Sequence, residues 1–300
     1  MPALIVAVCE VTAGEGSAAL TTEGCPSTLT LRLDFNNTAL FGCPDTNSLI
    51  ESEGAQITAT YNSLTNTTSG SLDGIGAAVF RFKADNDSDV IQGLRFGPYV
   101  QSDGTSQLAT NTSPSKNTYQ FTEGAFIQAS FNPDSSDEID YWRIRGGINE
   151  SSTGTQSASV VAEYLPTNKW FGSTRDLFGT GVLGIIYPDI ILQYDHTISE
   201  PNTASLFFDH DEALRVGAQA TATFYLANRN NVPVISNLAL GVTYHASTDA
   251  LSGRGYSWVL TTLSYQITSN FGIAASYGRG NSELTANDTS QVKLGLTAKF

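Results

Sequence analysis

The sequence predicts an all-β protein whose strands close into a transmembrane, antiparallel, up-and-down β-barrel. Three observations predict this fold. Apolar and polar residues alternate strictly in many segments, no run of about 18 apolar residues occurs, and the C-terminal segment alternates up to the final Phe300. Alternation with a period of two gives a strand one apolar and one polar face. A closed barrel satisfies the backbone hydrogen bonds of such strands inside a lipid bilayer, whereas a spanning helix is excluded.

The composition supports many short strands. Of the 300 residues, 27 are glycine, 40% are hydrophobic and only 15% are charged. Long stretches of helix-forming residues are nearly absent, while Ser, Thr, Asn and Gly are frequent, which suits strands joined by polar turns. The formal net charge of -14 argues against nucleic-acid binding, because neutralising phosphates requires clustered Lys and Arg.

The first 26 residues form a separate segment that fits no strand template well beyond residues 3–11. We expect a periplasmic tail, a partial plug or an added strand here, and the barrel over residues 27–300. The cysteines, Cys9, Cys25 and Cys43, are odd in number, so they do not form a complete disulfide framework. Their role stays open at this point.

The barrel strands follow in order along the chain. Alternation is clearest in five segments, which are 28–35, 55–61, 214–226, 237–245 and 290–300. Weaker strands are predicted at 72–83, 89–100, 118–131, 139–148, 157–165, 179–187, 189–198, 256–267 and 271–279. Together they give about fourteen strands, or twelve if two of the segments merge or vanish. An even number keeps both termini on one side of the membrane.

Small residues on the apolar face distinguish lipid from a protein core. Segment 214–226 places Ala218, Ala220 and Ala222 on that face. A β-sandwich would need larger side chains there to fill its interior, whereas lipid fills the space beside any side chain. The membrane barrel is therefore preferred to a soluble sandwich.

The C-terminal strand and the hairpin before it carry a resemblance to a known class. Val292, Leu294, Leu296, Ala298 and Phe300 alternate to the end of the chain, and YQITSNFGIAASYG at 265–278 forms two strands around a tight turn. In these features residues 27–300 resemble bacterial outer-membrane β-barrel proteins, and more loosely porins, without pointing to a subfamily. The resemblance implies an outer-membrane location, contact with its lipid and lipopolysaccharide, and a terminal strand that the barrel-assembly machinery recognises. It also implies short turns on one side and longer acidic loops on the other.

Charged residues inside the alternating segments are predicted to line the lumen, because an Arg or Lys facing lipid at the midplane costs about 2–4 kcal/mol. The inward set is Arg32, Asp34, Arg81, Arg95, Arg143, Arg145, Glu163, Asp195 and Arg215. Opposed charges of this kind indicate a porin-like constriction for passive diffusion of small polar solutes. The excess of arginines favours anionic ones. The alternative is a non-conducting structural or adhesive barrel, plugged by salt bridges, whose acidic loops bind partners.

No enzyme is predicted. His245 and Ser247 lie two residues apart and share a face, but no orienting carboxylate or amide accompanies them. Asp85, Asp87 and Asp89 are spaced as in calcium loops, although the residues that an EF-hand needs are missing. A surface Ca²⁺ at these aspartates stays open, and no other cofactor is expected. The transported solute and association with further copies of the chain cannot be deduced from the sequence.

Overall fold

A computed structural model of the chain describes residues 20–22, 29–32, 55–62, 67–84, 91–107, 116–131, 140–152, 154–167, 170–172, 175–177, 182–199, 211–225, 238–268, 271–281 and 288–298. Within these ranges, no helix has the length and apolarity needed to cross a membrane. The three cysteines and Asp34, Asp85, Asp87, Asp89 and Phe300 lie outside the described residues.

Within the described residues, sixteen strands form one antiparallel sheet. The first eight are β1 (Leu20–Thr22), β2 (Leu29–Arg32), β3 (Ala55–Asn62), β4 (Thr67–Ala78), β5 (Phe80–Ala84), β6 (Ile91–Gln107), β7 (Lys116–Phe131) and β8 (Asp140–Ser151). The others are β9 (Gln156–Leu165), β10 (Arg175–Leu177), β11 (Val182–Ser199), β12 (Glu212–Tyr225), β13 (Leu238–Asp249), β14 (Gly255–Gln266), β15 (Phe271–Asn281) and β16 (Asp288–Ala298).

The sheet closes on itself through its last strand. β16 pairs with β3, with Leu294 opposite Ala59, and β3 pairs with β4, which in turn pairs with β6. The remaining ring strands follow as β7, β8, β9, β11, β12, β13, β14 and β15. The predicted fold class is confirmed: the chain forms an antiparallel transmembrane-type β-barrel, and its closed ring has twelve strands.

Shorter strands extend this ring at one seam. β4 and β5 run in line on either side of Val79, and both pair with β6. β2 pairs with β4, and β1 pairs with β5. The described part of the predicted strand at 28–35, Leu29–Arg32, therefore lies outside the closed ring. Of the predicted N-terminal segment, only Leu20–Thr22 is described, as an added strand on β5.

The predicted division of 179–198 into two strands is wrong, because β11 runs unbroken from Val182 to Ser199. Pro188 lies inside it and has no N–H to donate. On one side of β11, β10 pairs only up to Gly184, and β9 begins to pair at Ile190. The Gly172 amide donates to the Ile186 carbonyl on this side. Alternate residues of a strand bond to the same neighbour, so Pro188 faces the gap between β10 and β9, where no ladder bond is lost.

The outer face of the barrel is apolar. Ile57, Leu72, Ile144, Val216 and Leu294 all point outward, and each exposes more than half of its side chain. Trp142 and Tyr164 contact each other on this face, with ring centroids 4.6 Å apart. A continuous apolar exterior around a closed ring is what a bilayer requires of a strand structure.

The connections do not separate by charge as predicted. Neighbouring strands are antiparallel, so the segments 85–90, 132–139 and 226–237 all leave the barrel at the edge where β16 ends, here called the C-terminal edge. Two of the acidic segments, around Asp85 and Asp134, connect strands at this edge, whereas 200–211 connects strands at the opposite edge. Acidic connections therefore occur at both edges.

Candidate functional site in the barrel lumen

The C-terminal strand shows which face of each strand lines the lumen. Val292, Leu294 and Leu296 project outward, with Leu294 at 61% exposure, whereas Lys293 and Thr297 project inward. This is the orientation predicted for these residues. Ala298 pairs with Phe271 and Ala55 in register. The role of this strand as an assembly signal remains a prediction.

Two predicted arginines and a predicted glutamate form one network inside the barrel. Glu163 on β9 lies directly opposite Arg143 on β8. Arg143 Nε donates to Glu163 Oε2 at 2.5 Å, and Arg145 Nη2 donates to Oε1 at 3.4 Å. The side chains of Arg143 and Glu163 are 0% exposed, and that of Arg145 is 20% exposed. Arg145 therefore reaches open lumen, whereas Arg143 serves to neutralise the buried carboxylate.

A second ion pair joins β11 to β12. Arg215 Nη1 donates to Asp195 Oδ2 at 2.8 Å, and Gln193 Nε2 donates to the same oxygen at 2.8 Å. Both charged side chains are almost fully buried. Asp249, opposite Arg215 on β13, accepts hydrogen bonds from the Leu251 amide and the Ser252 hydroxyl of the following turn. The structure thus brings together two of the predicted lumen residues, Asp195 and Arg215, on the two strands that follow β9 in the ring.

The remaining predicted lumen residues lie elsewhere. Arg81 is buried on β5, and its Nη1 donates to the Val79 carbonyl at 3.3 Å. Arg95 lies opposite it on β6, on the same inner face. Arg32 belongs to β2, outside the closed ring. In the described part of the chain, no group of three or more His, Cys, Asp or Glu could hold a metal ion. Asp85, Asp87 and Asp89 are not described, so the Ca²⁺ prediction stays untested.

Four inward carboxylates, Asp73, Asp103, Asp189 and Asp249, were not among the predicted lumen residues, whereas Lys293 was predicted to face the lumen. Asp73 on β4 lies opposite Asp103 on β6, and Lys293 Nζ lies 3.9 Å from Asp73 Oδ2. Asp189 and Asp249 are also buried on the inner face. Asp73 lies two residues before the buried Ile75, and Asp103 lies four residues after the buried Tyr99. Alternation extended through these strands therefore places both carboxylates on the inner face.

With these residues included, the inner charges balance. The inward cations that are at least partly buried are Arg81, Arg95, Arg143, Arg145, Arg215 and Lys293, and the carboxylates are Asp73, Asp103, Glu163, Asp189, Asp195 and Asp249. The two sets are equal in number within the described strands. The excess of inward arginine, which was the ground for expecting anionic solutes, is therefore absent from them.

Part of the lumen is filled by side chains. Ile75, Ala77, Val79, Tyr99 and Phe126 form a buried apolar cluster between β4, β6 and β7. The Tyr99 ring lies across two glycines of the neighbouring strands. A Cβ on Gly124 would lie 2.7 Å from Tyr99 Cε1, and one on Gly147 would lie 3.1 Å from its hydroxyl oxygen. The first contact is closer than real Cβ atoms approach and the second is unusually tight, so the two glycines leave room for the ring beside β7 and β8.

A second apolar cluster occupies the C-terminal edge of the lumen. It consists of Ile185, Tyr187, Tyr225 and Ala239, with Leu183 packed against it. Together with Tyr99, Phe126 and the Arg143–Glu163 pair, these side chains close much of the interior beside β4–β9 and β11. The interior of the barrel is therefore filled by side chains in part only.

A polar cavity of about 180 Å³ lies on the other side of this packed layer, away from the C-terminal edge. Its walls come from six ring strands and consist mainly of amide and hydroxyl side chains: Gln101, Asp103, Gln120, Thr122, Arg145, Asn149, Ser151, Thr155, Ser157, Ser159, Val161, Gln193, Asp195 and Arg215. The volume holds several water molecules. Such a lining offers both donors and acceptors to a polar solute.

Two of the three histidines, His196 and His245, lie in the described part of the chain, on opposite faces of the barrel wall. His245 and Ser247 both lie on the inner face of β13, as predicted. His196 points outward, where its Nδ1 lies 3.6 Å from Glu212 Oε1, and the neighbouring Asp195 points inward.

Comparison with known proteins gives distant structural similarities. No family model matches the sequence, and no curated protein matches it. A structure of the NanC porin aligns with a TM-score of 0.41 and 11% identity, over 82% of this chain and 100% of that one. The transport unit of the autotransporter AIDA-I from Escherichia coli aligns at 0.35 and 9%, over 91% and 90%. The Acinetobacter baumannii outer membrane protein Omp33 aligns at 0.30 and 13%, over 82% and 96%. Similarity at this level is too low to transfer a function.

Proposed function

We propose that this chain is a porin-like channel of the bacterial outer membrane that lets small polar solutes diffuse passively. One observation carries the proposal: a closed ring of twelve strands has an apolar exterior and an interior lined by hydroxyl, amide and ion-paired side chains. A barrel that served only as a structural wall would gain nothing from a polar cavity.

The interior favours weak charge selectivity. Two buried ion pairs, Arg143–Glu163 and Arg215–Asp195, each combine opposite charges. Their electrostatic fields therefore largely cancel at the lumen surface. Arg145 is the exposed member of the first network. Small uncharged polar solutes therefore suit this lumen at least as well as the anionic ones expected from the arginine count.

The proposed setting follows from the exterior. The apolar band would contact outer-membrane lipid, and the polar edges would contact lipopolysaccharide on the cell surface. The C-terminal strand, with Val292, Leu294 and Leu296 exposed outward, would be the part that the barrel-assembly machinery recognises. We propose no cofactor and no catalytic activity for this lumen.

Swelling of proteoliposomes in an isotonic pentose solution tests the channel. The refolded protein should accelerate swelling over that of protein-free liposomes, and protein unfolded by boiling before reconstitution should not. Heat-modifiable migration on a denaturing gel confirms that the barrel has formed in the sample. A correctly folded, inserted barrel that gives only the protein-free rate would exclude the channel.

The same assay separates the second candidate, a non-conducting barrel. The packed layer around Tyr99, Phe126 and Glu163 is the observation in its favour, because these side chains close part of the interior. Absence of solute uptake together with confirmed insertion is the result expected of that candidate.

A further inference from the structure

The inner wall of this barrel differs from one half of the ring to the other. On β7, Phe126 lies five residues before Phe131, where the strand ends, and Gln128 lies three residues before it. They are 4% and 1% exposed. Two inward residues lie at the same numbers of residues from the C-terminal edge on β15 and β13. They are Ser276, five residues after Phe271, and Gly241, three residues after Leu238. Both of these remain partly exposed. Three to five residues from the C-terminal edge, these inward positions are therefore buried on β7 but partly exposed on β13 and β15.

The open wall is formed by small residues in adjacent register. Gly241 on β13 lies opposite Thr262 on β14, which lies opposite Ser276 on β15, which lies opposite Lys293 on β16. All four are partly exposed on the inner face. The row above it, with Thr221 opposite Thr243, is likewise partly exposed. The small side chains of the row from Gly241 to Ser276 leave space along this wall. The bulky inward residues of β14, Leu260 and Trp258, lie in the rows beside it, and the Trp258 ring covers Gly278.

The corresponding inward positions on β6–β9 are filled by side chains. Tyr99 covers Gly124 and Gly147, so even the inward glycines are occupied by a ring. Arg143 on β8 and Glu163 on β9 fill the space inside these two strands. They form a neutral ion pair whose side chains have no exposed surface. A solute moving along these strands would have to displace these groups, and separating a buried ion pair is costly.

We infer that water and solutes pass the packed layer of this barrel along the wall formed by β12–β16. The side chains of Tyr99, Phe126 and the Arg143–Glu163 pair are then a fixed filling of that layer on the β6–β9 side, and the polar cavity lies beyond the layer. The inference deepens the proposed channel function and rests on it. The path is lined mainly by the hydroxyls of Thr221, Thr243, Thr262 and Ser276. Lys293 is the charged group in this row, and its ammonium lies 3.9 Å from the Asp73 carboxylate. Hydroxylated, uncharged solutes fit such a lining.

Cysteine labelling tests the path, in a background with Cys9, Cys25 and Cys43 replaced by serine. Ser276→Cys places a thiol on the open wall. Ser130→Cys is the matched control, because Ser130 is also an inward serine but is buried on β7, where its hydroxyl donates to the Gly93 carbonyl. A charged, membrane-impermeant methanethiosulfonate reagent is added to proteoliposomes, and labelling is followed by mass spectrometry.

The open wall should react first. Ser276→Cys should be labelled about tenfold faster than Ser130→Cys, since thiol reactivity follows exposure to solvent, and its labelling should slow pentose uptake several-fold. Labelling of Ser130→Cys should leave uptake unchanged. Equal labelling rates, or complete labelling of Ser276→Cys with unchanged uptake, would overturn the path. Failure of the channel itself would show differently, as absence of uptake in the unlabelled protein, while the labelling rates still report which wall contacts water.

Discussion

Replacing Glu163 by glutamine removes the carboxylate that pairs with both Arg143 and Arg145. The amide keeps the size of the side chain, so the change is mainly electrostatic. The side chain of Arg143 has no exposed surface through which water could solvate its positive charge. Arg145 retains 20% exposure and can turn its guanidinium toward the polar cavity. The variant should therefore leave one buried cation without its counter-ion.

The expected magnitude follows from that geometry. Removing one partner of a buried ion pair costs about 3–5 kcal/mol of unfolding free energy. An exposed pair is worth about 0.2–1 kcal/mol. His196 and Glu212 form such a pair on the outer face, at 49% and 53% exposure. Glu212→Gln is therefore the matched control, since the same chemical change is made on an exposed carboxylate.

Denaturant unfolding of the refolded barrel in detergent micelles or vesicles, followed by tryptophan fluorescence, measures both variants. Glu163→Gln should lower the unfolding midpoint strongly, and Glu212→Gln should leave it near that of the wild type. A second variant, Arg143→Met with Glu163→Leu, should recover most of the loss, because apolar replacement of a buried pair is often neutral. If Glu163→Gln unfolds at the wild-type midpoint, the network does not hold this wall together.

Three further substitutions test the faces of the barrel. Leu294→Arg places a cation on the lipid face and should cost about 2–4 kcal/mol, whereas Leu251→Arg, exposed in a turn, should cost less than about 0.5 kcal/mol; equal losses would refute the assigned membrane face. Gly124→Ala should cost about 1–3 kcal/mol by overpacking, and Gly70→Ala, whose Cβ would meet only ordinary contacts, should be near neutral. Glu123 is exposed on the outer face, opposite apolar residues of both neighbouring strands. Glu123→Leu should raise the unfolding free energy by about 1 kcal/mol, and a lower midpoint would show that this carboxylate has a partner.

Local alternation was sufficient where each strand has one lipid face and one lumen face. The segments predicted at 214–226, 237–245 and 271–279 correspond to β12, β13 and β15, because small and apolar residues alternate there without interruption. The orientation of β16 was predicted for the same reason. A period of two is a property of the extended chain itself.

Interruptions depend on the neighbouring strand, which alternation does not reveal. The predicted break between 187 and 189 falls on Pro188, which faces the gap between β9 and β10. Pro98 on β6 similarly lies beside the irregularity at Val79, between the residues that pair with β4 and those that pair with β5. Whether a missing N–H matters is decided by the partner strand.

Alternation predicted the inward arginines but not all of the inward carboxylates, for a related reason. Arginines inside alternating runs were easy to assign, and Arg143, Arg145 and Arg215 are indeed inward. Asp73 and Asp103 lie in glycine- and serine-rich stretches where the alternation is weak. Tyr99 covers Gly124 through pairing across β6 and β7, so the filled half of the lumen could not be inferred from any single strand.

Single-channel recording in a planar lipid bilayer tests the central claim most directly. With insertion confirmed by heat-modifiable migration of the same sample, the folded wild-type protein should produce discrete current steps. Their reversal potential in a salt gradient should shift little from zero, because the inner charges are balanced. A folded, inserted barrel that gives no current steps would contradict the claim that this lumen is a channel.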